Sequence, residues 1–256
     1  MKAAAIPLLT GGESLRVWSF LVTLFGDLAR GPKDRLTGAT LTAMTGLVGI
    51  KPASMRVALH RLRKDGWIDS QKAGRASHYF LTDKGRAETL QATTRIYARV
   101  SLAPRHWFLA IAPEAHATPD AAARAGLVTV LPGVYLGLGV PAEIAGFLCL
   151  PGSQEPPPDW LKRSLISEDL TRQYQEFEAR LDQVADVLPA PGPDLERAVL
   201  RGLIVHGWRR LILRHPDLPE SFTGPECRIA PTREKVHALL DRLPKPTLAA
   251  LNGFAE

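Results

Sequence analysis

The apolar positions of residues 52 to 65 recur at helical spacing. Met55, Ala58, Leu59 and Leu62 fall on one stripe, while Ser54, Arg56, Val57, His60, Arg61, Arg63 and Lys64 fall elsewhere. Pro52 suits a first helical position, where its missing N–H costs nothing, and Gly66 offers a left-handed stop. The pattern predicts a helix of about four turns with aliphatics inward and cations outward. Upstream, Leu15 to Leu28 fills a broad apolar stripe that Ser14 can cap. Leu36 to Gly49 carries a second helix with Leu41, Met44, Leu47 and Val48 inward, and Thr40 is its candidate cap. Downstream, Trp67–Ala73 and Ala76–Thr82 read as two strands hinged at Gly74, a hairpin with Lys72, Arg75 and His78 near its tip. Two helices in close succession followed by a basic hairpin predict a winged helix-turn-helix. Thr82 then caps a further helix, carrying Leu90, Ile96 and Val100, that ends before Pro104; it serves as an interdomain strut or a dimer contact.

The period then changes. Short apolar runs at 106–112, 127–131, 133–136 and 146–150, with an Ala-rich helix at 118–125 after the first, predict a small sheet covered by a helix on one face. Gly133, Gly137 and Gly139 do not make a dinucleotide fingerprint, because no helix follows them and Pro141 interrupts. The Pro-rich stretch 152–158 reads as a linker. Beyond it, apolar residues from Trp160 to Leu188 and from 194 to 214, and a last helix near 232–242, predict a helical C-terminal region. The fold class is therefore α+β, divided as a loose leader at 1–13, a DNA-binding domain at 14–103, a central domain at 104–151, the linker, and a helical domain at 159–256.

Charge sharpens this division. The net charge is +6, yet residues 14 to 100 hold 15 Lys and Arg against 6 Asp and Glu, whereas residues 101 to 256 hold 16 against 19. A basic first third on a slightly acidic remainder predicts that a polyanion, double-stranded DNA, meets the helix at 52–65 and the hairpin. The candidate contacts are Ser54, Arg56, Val57, His60, Arg61, Lys64, Lys72, Arg75 and His78. Arg56 and Arg61 are the first choices for reading bases. Cys149 and Cys227 are too few for a disulfide framework, and no apolar run is long enough to span a bilayer, so a cytoplasmic protein without membrane contact is expected.

Catalytic signatures are missing. His60, His206, His215 and His237 lack metal-ligand spacing, and there is no nucleophile elbow, phosphate-binding loop or paired-carboxylate motif. No metal, cofactor or enzymatic activity is expected. A nucleic-acid-processing enzyme with a nuclease-like central domain is the rival class, but it needs an acid at the end of the first central strand, where Glu114 already lies beyond a proline.

Four segments carry a resemblance: Val57–Trp67, Gly74–Thr82, Leu131–Tyr135, and the run His206-Gly-Trp-Arg-Arg-Leu-Ile-Leu-Arg-His-Pro-Asp-Leu-Pro219. Together they resemble the PaaX-like family, transcriptional repressors of phenylacetic acid catabolism. The resemblance implies a homodimeric repressor with a winged domain, a central ferredoxin-like domain and a helical C-terminal domain, released from its operator by phenylacetyl-coenzyme A. Two features depart from the family pattern: the Ala-rich stretch 118–125 is poor in Arg, and His215 stands where the family usually has Asp. In the last motif, His206, Trp208, Arg209, Arg210 and Arg214 combine aromatic and cationic groups suited to an acyl-coenzyme A effector. The same mixture also suits packing or a subunit contact. A regulator of another aromatic catabolic operon differs only in its ligand and neighbours.

Overall fold

A computed structural model describes residues 2–12, 14–74, 76–101, 106–113, 126–139, 144, 146–152, 157–188, 192–216, 218–219, 222–224 and 226–253. The chain forms two compact units. One comprises Met1–Tyr97, Phe177–Ile212 and Arg233–Glu256, the other Ala98–Glu176 and Leu213–Thr232.

The first unit opens with α1 (Lys2–Thr10) and α2 (Val17–Leu28). The expected loose leader is corrected here. Ala5 and Leu9 are buried and α1 packs against a C-terminal helix, so tertiary contact stabilises a segment too short to hold a helix alone. The next segment also begins differently from its expectation. Leu36–Thr37 is a short strand, β1, and α3 starts at Gly38 and runs to Leu47. Thr37 is the cap, its hydroxyl accepting the Thr40 N–H at 3.0 Å, three residues before the candidate cap. A left-handed Gly49 (φ 76°) then turns the chain into α4 (Pro52–Lys64), which begins at the proline as expected.

The hairpin consists of β2 (Ile68–Ala73) and β3 (Ala76–Leu81), registered from Ile68 opposite Leu81 to Ala73 opposite Ala76. β1 pairs antiparallel with β3, giving the order β1-β3-β2. At the base of the hairpin the Thr82 hydroxyl donates to the Gly66 carbonyl at 2.6 Å and accepts the Gly85 N–H at 3.0 Å, capping α5 (Asp83–Ile96). Gly85 is required there, because a Cβ would collide with the Trp67 carbonyl oxygen. On α5, Ile96 is buried but Leu90 is exposed.

The C-terminal helices that belong to this unit are the end of α7 (Glu168–Val187), α8 (Asp194–Ile212), most of α9 (Ile229–Arg242) and α10 (Leu248–Asn252). A self-contained helical domain from residue 159 is therefore not what forms. Helix α8 is buried on nearly all sides and packs against α1, α2, α3 and α5. Twelve of its nineteen residues are buried, and its cations Arg197, Arg201 and Arg209 are held at its margins by hydrogen bonds to neighbouring elements. The helix approaches its neighbours closely at two glycines: a Cβ at Gly202 would lie 2.8 Å from Leu24 of α2, and one at Gly207 would collide with the Phe177 ring of α7. Polar ties fix the arrangement. Arg201 donates to Asp27 (2.7 and 3.1 Å) and to the Leu243 carbonyl (3.0 Å), and Tyr97 donates to Asp27 at 2.5 Å. Asn252 of α10 accepts the Thr37 N–H (3.1 Å) and donates to the Arg35 carbonyl (2.9 Å).

The second unit holds an antiparallel sheet of β4 (Trp107–Ile111), β5 (Val128–Leu131), β6 (Val134–Leu138) and β7 (Leu148–Pro151), in the order β5-β6-β4-β7. Its core gathers Phe108, Ala110, Leu127 and Tyr135. The glycines of this region serve the sheet. Gly133 takes φ 76° in the β5–β6 turn, and Gly137 leaves room for the Phe108 ring on the neighbouring strand. Helix α6 (Asp159–Leu165) and the start of α7 follow. The expected helix at 118–125 and Glu114 lie outside the described residues. Among the described residues no helix is long and apolar enough to cross a membrane.

Candidate nucleic-acid interface

Helix α4 divides by burial as its spacing requires. Met55, Ala58, Leu59 and Leu62 are 2–7% exposed and pack toward α2 and α3. Ser54, Arg56, Val57, His60, Arg61 and Lys64 are all exposed, Val57 to 70%. No acid in the first turn opposes the cations, and Arg61, Arg63 and Lys64 crowd the last turn, where they complement the helix dipole. Burying Met55, Leu59 and Leu62 at about 1.5–3 kcal/mol each outweighs the mutual repulsion of exposed, solvent-screened cations. The helix can therefore present charge outward without losing its seat.

Arg61 is held rather than free. Its guanidinium lies 5.8 Å from the centroid of the half-exposed Trp18 ring on α2, and its Nε lies 3.7 Å from Asp65. Arg56 has no ion pair among the described residues, so its side chain can reach outward. On the hairpin, Lys72 is exposed opposite Ser77, and His78 is half-buried opposite Gln71. Arg75 lies outside the described residues. An open cleft of about 660 Å³ separates α4 from the base of the hairpin, with His60, Arg63 and Lys64 on its walls.

Sequence reasoning passed over Lys51, Arg63 and Trp18 as site residues. Lys51 and Arg63 are exposed beside the chosen set, and Arg63 approaches Asp69 at 3.7 Å. Their signal was the same cationic run. Trp18 had been absorbed into the apolar stripe of α2, and only its place beside α4 reveals the contact with Arg61.

The five residues of the C-terminal motif fall in different environments. Trp208 is fully buried and donates its indole N–H to the Ile96 carbonyl at 2.8 Å. His206 is buried, with Nδ1 3.1 Å from the Thr23 hydroxyl, and burial together with Arg209 and Arg210 pushes its pKa down to about 3. Arg209 is half-buried and donates to Thr23 (3.0 Å) and to the Ser19 carbonyl (3.2 Å). Arg210 is exposed. Arg214, in the second unit, is exposed and donates to Gln173 at 2.9 Å. Thr23 thus brings His206 and Arg209 together.

Fold and surface define a mixed α+β protein whose N-terminal helices and short antiparallel sheet present a cationic helix to solvent. Residues 16–85 match the family model described as PaaX-like protein, and residues 167–249 match that of the PaaX-like protein C-terminal domain. The chain belongs to the PaaX-like family. It is 35% identical over 79 residues to the transcriptional repressor PaaX of Escherichia coli (strain K12), a match covering 31% of this chain and 25% of that protein. This chain therefore matches about a quarter of the repressor's length. An uncharacterized protein from Mycobacterium tuberculosis shares the fold, with a TM-score of 0.54 at 21% identity over 92% of this chain and 96% of the other.

Proposed function

We propose that the protein is a DNA-binding transcriptional repressor of the winged helix-turn-helix type. The observation that carries this reading is the division of α4, whose aliphatics are seated on α2 and α3 while Ser54, Arg56, Val57, His60, Arg61 and Lys64 face outward. In this reading α4 enters the major groove and Arg56 and Arg61 pair with guanine edges. Lys72 and Arg75 of the hairpin meet phosphates, with His78 beside them. Two copies of the chain bind an inverted repeat whose half-site centres lie about one helical turn, or a multiple, apart. The order β5-β6-β4-β7, with the first strand between the third and fourth, supports a ferredoxin-like reading of the central sheet.

The repressor named in E. coli and the family resemblance make phenylacetate degradation genes the operon to test first, and phenylacetyl-coenzyme A the effector. Release requires that the effector bind the non-operator state more tightly than the operator-bound state. The deciding experiment is a gel shift of the purified protein on the DNA upstream of its own gene and of phenylacetate genes. It is repeated with phenylacetyl-coenzyme A and with free coenzyme A. Retention of one fragment at salt concentrations that release bulk DNA, and its release by the thioester alone, is the expected result. Equal retention of all fragments overturns the reading.

A further inference from the structure

The helices of the first unit leave a recess of about 40 Å³ between α2, α5 and α8, open on one side. A water needs about 10–15 Å³ on this measure, so the recess holds a carboxylate-sized group and excludes a coenzyme-sized molecule. Most of its lining is apolar, from Val22, Ala92, Ile96 and Val205, with Trp67 at the foot of the hairpin.

Two polar groups in this lining lack the partners their chemistry calls for. Arg209 is half-buried, its guanidinium donates only to the neutral oxygens of Ser19 and Thr23, and no carboxylate among the described residues lies within ion-pairing distance. Burial alone holds its pKa below the usual guanidinium range. A cation taken partly out of water without a counter-charge is costly, and an anion placed beside it removes the cost. Thr89 is 8% exposed and its hydroxyl has no hydrogen-bond partner. A threonine inside a helix ordinarily bonds back to the carbonyl four residues earlier, as Thr93 does to Thr89 at 2.7 Å. The carboxylates nearby do not fill the need. Asp27 is matched by Arg201 and Tyr97, and Glu88 is exposed.

We propose that this recess binds the carboxylate of a small organic acid, with Arg209 and Thr89 as donors and the rest of the acid leaving past Trp67. Its regulatory part rests on the repressor reading above. Trp67 and α5 are both tied to the hairpin by Thr82, which donates to Gly66 and caps α5, so an acid wedged between them bears on the wing. A carboxylate against a desolvated guanidinium makes the short charge-assisted bonds that give such sites their affinity.

The test uses the full chain without DNA, titrated with acetate, phenylacetate and phenylacetyl-coenzyme A by calorimetry and tryptophan fluorescence. Both free acids are expected to bind saturably. Arg209→Gln should weaken them at least tenfold, Glu88→Gln should tighten them, and Arg210→Ala should leave them unchanged. Because Arg209→Gln also removes bonds to Ser19 and Thr23, the controlling variant is Ala92→Leu, which fills the recess from a half-exposed position and should abolish binding with an unaltered circular dichroism spectrum. Failure of both acids to bind, binding of the thioester alone, or affinities unmoved by Ala92→Leu overturns the site. Binding that Ala92→Leu abolishes but that leaves operator affinity unchanged upholds the site and overturns its link to the wing.

Discussion

Arg201→Met should cost about 3–5 kcal/mol of folding stability, the usual penalty for stranding one member of a buried ion pair. Asp27 is 1% exposed and the Arg201 side chain 12%, so water cannot take over the lost charge. Methionine nearly preserves the volume, which isolates electrostatics from packing. What disappears is the pair of bonds to Asp27 at 2.7 and 3.1 Å and the bond to the Leu243 carbonyl at 3.0 Å. The Tyr97 hydroxyl remains, and burial and Asp27 together push its pKa well above the ordinary phenol range, so it stays a donor. One neutral donor does not neutralise a carboxylate. Adding Asp27→Asn to Arg201→Met should therefore restore at least half the loss, because the stranded charge is gone while the tyrosine keeps an acceptor. Urea unfolding followed by far-ultraviolet circular dichroism measures both variants. A loss below about 1 kcal/mol for the single variant, or a double variant no more stable than the single, would refute the assignment of this pair as the tie between α2 and α8.

Other consequences can be read from the same geometry. His206 titrates near pH 6.5 when unfolded and near 3 when folded, so the unfolded state binds the extra proton in that window and stability falls as pH drops through it. His206→Phe should remove this dependence, narrowing the difference between pH 7 and pH 5 by about 2 kcal/mol in denaturant titrations. Lys72→Ala should lower the slope of log affinity against log salt by about 0.9 without altering base preference. Arg56→Ala should instead cost about 1–3 kcal/mol of discrimination at one base pair. Equilibrium titrations over a salt series and a base-scanned operator separate the two, and identical behaviour of both variants removes the division of roles. Gly85→Ala should loosen the join between hairpin and α5, since the added Cβ meets the Trp67 carbonyl. Faster hydrogen exchange at Trp67 and Thr82, with exchange in α8 unchanged, is the expected signature.

Where the sequence was legible, two independent signals agreed. Helix α4 was fixed by its 3.6-residue period and by Pro52 and Gly66 at its ends, and the hairpin by Gly74 between two strand-like runs. Charge imbalance pointed to the same helix. Where only one signal was present, the reading slipped. Thr37 and Thr40 are both plausible caps three residues apart, and what decides is that Leu36–Thr37 pairs with Tyr79 and His78, a contact between segments distant in sequence. Residues 2–10 fold because α8 offers a surface, which no local pattern announces.

The C-terminal motif shows why chemistry read along one dimension misleads about place. His206, Trp208, Arg209 and Arg210 are neighbours in sequence, and their residue types suit an anionic aromatic ligand. On a helix, successive residues advance by about 100°, so Trp208 and Arg209 leave the face that His206 and Arg210 share. Along that face the helix passes within about one turn from the buried His206 to the exposed Arg210. Since α8 is enclosed on most of its circumference, Trp208 and His206 enter the core, Arg210 reaches solvent, and Arg209 falls on the margin between them. That margin is where a ligand can meet a desolvated cation without first unfolding the core. Arg209 is thus the member of the motif whose charge burial has made available, and its Thr23 and Ser19 contacts aim it at the α2–α5 recess rather than at open surface. If the protein senses an anion through this motif, affinity must track substitutions that fill the recess, such as Ala92→Leu. Substitutions of the exposed Arg210 must leave it alone.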